Sequence, residues 1–106
     1  MAFYNCTALK NVPDLPDSIT SMGGAFQGCT ALETFAKIPK RAGNLKSAFK
    51  DCISLTGTIV VEASPWSYDL CFSGTIKPII LTGPASQYTF NALVSTANNG
   101  NVTVAK

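Results

Sequence analysis

The sequence predicts an α/β fold: a short solenoid of 23-residue repeats that carries a parallel β-sheet and is closed at its C-terminal end by a helix and a strand. Three observations carry this prediction. The octapeptides AFYNCTAL, AFQGCTAL and AFKDCISL begin at Ala2, Ala25 and Ala48, so one motif returns at a fixed 23-residue interval. The columns that this interval defines are apolar: Phe3, Phe26, Phe49 and Phe72; Leu9, Leu32 and Leu55; Cys6, Cys29 and Cys52. From residue 86 the period stops and a helical pattern replaces it. With 106 residues and 46% apolar content there is material for one core and hardly for two. The chain therefore reads as a single domain over 1–106, with repeats over about 1–83 and a cap over about 84–106.

A fourth unit is due at residue 71. There Cys71-Phe72-Ser73-Gly74-Thr75 keeps the Phe, puts Cys where Ala stood and Thr where Cys stood, a degenerate copy. Stacked units would bring the four Phe of one column together as a continuous aromatic spine, which Phe35 and Phe90 lie outside. After each Leu comes a segment of extended character: Leu9 to Leu15, Leu32 to Ile38, Leu55 to Glu62 and Pro78 to Thr82. The later two are the better strands, because Pro13, Pro16 and Pro39 limit the first two: Pro donates no ladder hydrogen bond. The returns DSITSMGGAF and KRAGNLKSAF are rich in turn residues and too short for long helices. In the last segment Ser86 caps a helix from Gln87 to about Ala97, with Phe90, Leu93, Val94 and Ala97 on one face. Asn98-Asn99-Gly100 ends it through a left-handed C-cap, and Asn101 to Ala105 forms a final strand. Such a cap keeps the last apolar face and backbone ladder from water.

Charge and composition remove several classes of function. The net charge is +2, from eight Lys and Arg against six Asp and Glu, with no basic cluster to hold nucleic acid or an anionic membrane surface. No stretch approaches the roughly 18 to 20 apolar residues needed to cross a bilayer. The chain has no His, which removes His-based acid/base chemistry, Ser-His and Cys-His nucleophile pairs and most zinc-ligand sets. The opening MAFYNC has neither the charged nor the apolar region of a signal peptide. Met1 leading straight into a motif is the pattern of a fragment.

The AF-x-x-C-x-x-L unit, with Pro16 and Pro39 after the extended segments and a DSITSM-like return, resembles the BspA-like leucine-rich repeats over residues 1 to about 83. The resemblance implies a short leucine-rich-repeat solenoid and a secreted or cell-surface protein, often bacterial or protozoan, that contacts other proteins. The chain departs from the pattern at Thr75, in the place of the repeat Cys, and in LTGTIVVEASPWSYDL, which lacks the Pro after its strand.

Candidate sites follow from these columns. Residues in register on neighbouring parallel strands lie about 4.8 Å apart and point the same way, whereas a disulfide takes Cβ atoms about 3.8 Å apart that converge. The cysteines read as a ladder of buried thiols, with no disulfide among Cys6, Cys29 and Cys52 and with Cys71 in a different column. A column cannot converge on one metal ion, so neither metal nor cofactor is assigned. The 23-residue offset pairs Lys10 with Glu33, Asp14 with Lys37, Asp17 with Lys40 and Lys46 with Asp69, always opposite in sign. They read as ion pairs between units, not as paired catalytic carboxylates. No catalytic residue is assigned, and Ser and Thr have no base to activate them. Trp66 and Tyr68 lie in the irregular return before the fourth unit and are the candidate partner contacts. Packing against the core edge is the weightier reading of the two, because Tyr68 shares its column with Met22 and Leu45.

The sequence thus points to a non-catalytic protein-interaction module, the C-terminal fragment of a larger extracellular or cell-surface protein. Its partner is a protein ligand on a host or cell surface, without nucleic acid or membrane insertion. An uncovered first unit also points to a homodimer through the N-terminal end. The alternatives are a purely structural cap or spacer, or a carbohydrate-binding module centred on Trp66 and Tyr68.

Overall fold

A computed structural model describes residues 3–12 and 14–105. Met1 and Ala2, which open the first motif copy, Pro13, expected to limit the first extended segment, and Lys106 lie outside the described residues. Four short strands form one parallel sheet in sequence order: β1 (Lys37–Ile38), β2 (Gly57–Val61), β3 (Ile79–Thr82) and β4 (Val102–Val104). One helix, α1 (Gln87–Val94), stands between β3 and β4. The class is α/β.

Membership of the sheet differs from the expectation. The segment from Leu9 to Leu15 contributes one isolated bridge, Asn11 with Thr34, and no strand among the described residues, while the segment from Leu32 to Ile38 yields only the short β1. Pro39 directly follows Ile38 and cannot donate to a ladder, which stops β1 there. The longer strands, β2 and β3, have no proline directly after them. The interval also slips once. The 23-residue register joins β1 to β2 (Ile38 with Val61) and β3 to β4 (Ile79 with Val102), but β2 meets β3 one position short of it (Ile59 with Leu81). Phe72 still stacks on Phe49 at the full interval, so the missing position falls between Phe72 and Ile79.

Side chains on the inner face of the sheet, among them Ile38, Ile59, Val61, Ile79, Leu81 and Val102, are buried. Opposite them runs a stack of parallel rings: Phe3 on Phe26 at 5.4 Å, Phe26 on Phe49 at 5.7 Å, and Phe49 on Phe72 at 5.3 Å, with interplanar angles of 7° to 8°. Phe35 stands across two of them, edge-on to Phe26 at 5.2 Å and to Phe49 at 4.7 Å. Edge-to-face and offset contacts suit the ring quadrupole, so Phe35 locks the column to the layer beneath the sheet.

A second ladder of backbone bonds holds the motif segments together on the side away from the sheet. Phe3 N–H donates to Ala25 O, Phe26 N–H to Ala48 O and Phe49 N–H to Cys71 O, at 2.9 to 3.0 Å. Further along each copy, Asn5, Gly28 and Asp51 donate in the same way to Gln27, Lys50 and Ser73. These turns need a left-handed residue in every copy: φ is 57° at Asn5, 76° at Gly28, 64° at Asp51 and 82° at Gly74. Asn and Asp tolerate that region, and where they sit the next copy has Gly. A Cβ on Gly28 would meet Asn5 Oδ1, and one on Gly74 would meet Asp51 Oδ1.

The terminal segment ends this ladder with side chains. Phe72 N–H donates to Thr96 Oγ1 (3.0 Å) and Gly74 N–H to Asn98 Oδ1 (3.2 Å), taking the places that backbone carbonyls hold in the earlier copies. Asn99 Nδ2 donates to Thr75 O, and Asn101 Nδ2 to Thr75 Oγ1 and Lys77 O. The expected helix stop at Asn98-Asn99-Gly100 is therefore corrected. The helix has its N-cap at Ser86, whose Oγ accepts from Thr89 N–H, but it ends at Val94 and not near Ala97. Beyond Val94 the chain tightens into shorter turns, Thr96 N–H to Leu93 O and Ala97 N–H to Val94 O, which use up the last helical carbonyls. The asparagines are left to clamp the fourth unit.

Candidate functional site

The four cysteines are free thiols. Cys29 Sγ donates to Phe3 O (3.0 Å) and Cys52 Sγ to Phe26 O (3.1 Å), each reaching back one copy to the carbonyl of a spine residue. In the fourth copy Thr75 is buried and its hydroxyl turns to Phe72 O within its own copy (2.7 Å). Burial pushes the Cys29 thiol up, that of Cys52 up to about 12, and that of Cys71 upward as well. Thiols held this way stay protonated and are poor nucleophiles at neutral pH. Among the described residues no group of three His, Cys, Asp or Glu is arranged to hold a metal ion.

The ion pairs also differ from the column pattern. Lys37 Nζ lies 3.8 Å from Asp17 and 3.6 Å from Glu62, and none of the four pairs expected at the 23-residue offset forms among the described residues. Exposed pairs gain little from a fixed geometry, so a shared column does not dictate the partner, and Lys37 turns to Asp17 and Glu62 in place of Asp14.

The two candidate contact residues have different surroundings. Trp66 is 76% exposed. Its backbone is fixed by a bond from its N–H to Gly43 O (2.8 Å) and by the bridge of Ser67 with Asn44, and its indole lies over Gly43, where a Cβ would collide with Nε1 and Cδ1. The glycine one repeat earlier is thus the seat of the ring. Tyr68 is half-buried against the core edge, in the column of Met22 and Leu45, and its hydroxyl meets that of Tyr88 at 3.5 Å. That hydroxyl contact, and secondarily the nearby Tyr88 charge, raises the Tyr68 pKa. Tyr68 therefore packs and also presents its polar tip.

Tyr88 is a residue that the repeat pattern does not single out. It is 71% exposed on α1, whose buried residues are Thr89, Phe90 and Leu93. A large aromatic off the apolar face of an amphipathic helix is the signal for it. Beside Tyr68 an open cleft of about 580 Å³ is lined by Lys46, Tyr68, Asp69, Leu70, Thr96 and Asn98, among others. Leu70 is exposed there and holds a left-handed backbone (φ 62°) in the column of Gly24 and Ser47. For a non-glycine residue that conformation costs about 1 to 2 kcal/mol. Trp66 does not line this cleft. The lining combines an aromatic ring, the apolar Leu70, charges of both signs and the Asn98 amide.

No helix among the described residues is long and apolar enough to cross a membrane. Comparison with protein-family models, with curated proteins and with solved structures returned no match.

Proposed function

We propose that this chain is a non-catalytic protein-interaction module of the BspA-like leucine-rich-repeat kind, a short capped solenoid belonging to a secreted or cell-surface protein. The stacked phenylalanines, the parallel sheet in register at about one repeat and the backbone ladder from copy to copy support the solenoid reading. The observation that carries the interaction reading is Trp66: a three-quarters exposed indole on a fixed backbone, with its seat provided by Gly43. A large apolar ring held in water by a rigid frame is the kind of anchor that protein interfaces bury, and Trp and Tyr are enriched among residues that dominate binding energy. Tyr88 and Tyr68 extend the surface.

A second reading, a carbohydrate-binding module, is favoured by one feature: the Tyr68 cleft combines an aromatic face with the carboxylate of Asp69 and the amide of Asn98. One pair of experiments separates the readings. Immobilised chain is offered host-cell surface proteins and, separately, a glycan array, alongside the Trp66→Ala and Tyr68→Ala variants at unchanged melting temperature. The interaction reading expects saturable capture of a protein that Trp66→Ala abolishes. Glycan binding lost in Tyr68→Ala supports the second reading, and no binding in either arm leaves a structural cap or spacer.

A further inference from the structure

We propose that Asn99 is a self-modifying residue, whose deamidation by attack of the Gly100 backbone nitrogen undoes the C-terminal clamp. Asn99-Gly100 is the one Asn-Gly step among the seven asparagines of the chain. Both residues are exposed, Gly100 holds φ 72°, and a Cβ at Gly100 would meet nothing within 4 Å. The loop around Gly100 is therefore open to solvent and uncrowded by other segments. The Gly100 N–H has no acceptor among the described residues, so nothing ties up the nucleophile. Asn99 Oδ1 accepts from Asn101 N–H (3.1 Å), which draws electron density from the amide carbon and makes it the better electrophile.

The chemistry needs only water. A solvent base removes the Gly100 N–H proton and the nitrogen bonds to Asn99 Cγ, closing a five-membered ring; solvent returns a proton to Nδ2, the Cγ–Nδ2 bond breaks, and ammonia departs to leave a succinimide. Water then opens the ring at either carbonyl, giving aspartate or isoaspartate at position 99, with no redox partner. Other asparagines lack this combination: each is followed by a residue with a side chain, and Asn91 lies within α1.

The consequence follows from what the amide holds. Asn99 Nδ2 donates to Thr75 O (3.3 Å), and a carboxylate there turns that donor into a charged acceptor facing a carbonyl. The isoaspartate product also lengthens the main chain by one atom, directly ahead of Asn101 and β4. Asn101 carries the other bonds of the clamp, to Thr75 Oγ1 and Lys77 O, and its carbonyl accepts from Ile79 N–H at the start of β3. A single reaction in the loop thus loosens the fourth unit from the terminal segment.

The test is to age the purified chain in mildly alkaline buffer, map the peptides for amide-to-acid conversion, and label isoaspartate with an isoaspartyl methyltransferase. The expected result is conversion at Asn99 well ahead of Asn98 and Asn101, a lower melting temperature in the converted fraction, and faster amide exchange in β4. Asn99→Gln, which keeps an amide but closes its ring far more slowly, stays at its starting melting temperature over the same period. Asn99→Asp reproduces the charge without the longer backbone and divides the two contributions. Absence of preferential conversion at Asn99, or converted protein that melts and exchanges as the fresh chain does, overturns the proposal.

Discussion

Phe49 shows what one column position contributes. Its ring is sandwiched between Phe26 and Phe72 and is struck edge-on by Phe35, with no exposure to solvent. Phe49→Ala removes all three contacts and leaves a cavity that its neighbours, themselves stacked, cannot close. The expected loss is about 3 to 5 kcal/mol in denaturant melts, and a variant within about 0.5 kcal/mol of wild type would contradict the stacked arrangement. The period alone made the column legible. Phe35 was not legible, because its role depends on the crossing of its segment beneath the ring of its own copy, Phe26, and that of the next, Phe49, and no interval in the sequence encodes that approach. The thiols show the same division: Cys29 and Cys52 follow the column, while Thr75 turns to Phe72 O, a choice between carbonyls that only the packed chain makes.

At the scale of elements, the terminal segment works less as a helix than as a set of substitute carbonyls. Thr96 and Asn98 accept from Phe72 and Gly74, so truncating either leaves a backbone donor of the fourth copy without its partner. Thr96→Val keeps the shape and removes the acceptor, and each orphaned group is expected to cost about 1 to 3 kcal/mol where it stays shielded from water. Amide exchange provides the sharper reading: Thr96→Val accelerates exchange at Phe72 and Asn98→Ala at Gly74, with Phe26 and Gly28 unchanged. Equal exchange at all four sites would show that water replaces the side-chain acceptors without loss. The asparagine run reads as a helix stop in sequence because Asn and Gly share a tolerance for left-handed backbone. Its actual use rests on groups in the preceding copy, from Gly74 to Lys77.

For the whole molecule, buried thiols couple stability to alkaline pH. Burial raises the folded pKa of Cys52 from the ordinary thiol value of 9.0 to about 12, and burial also raises those of Cys29 and Cys71. The folded state therefore binds more protons than the unfolded one between these values. The sign follows: this contribution is complete below about pH 9 and is lost progressively as pH climbs toward 12, since unfolded thiols ionise first. Melting temperature is expected to fall over that window, and to fall less steeply in Cys52→Ala than in wild type. Identical slopes would remove the thiols from the account.

The 23-residue interval, the apolar columns, the α/β class and the helix that begins after Ser86 are all readable from the order of residues, because each rests on local chemistry or on simple repetition. That order also pointed to Trp66 and Tyr68 through their place in an irregular return. Tertiary structure alone decided which segments become strands, where the interval slips by one position, that Lys37 pairs with Asp17 and Glu62, and that Tyr88 joins Tyr68 at the surface. The physical reason is common to these cases. A period states which residues stand above one another, whereas pairing at a surface and satisfaction of the last hydrogen bonds depend on directions and distances between segments. Those are set only when the copies stack and the terminal segment closes over them.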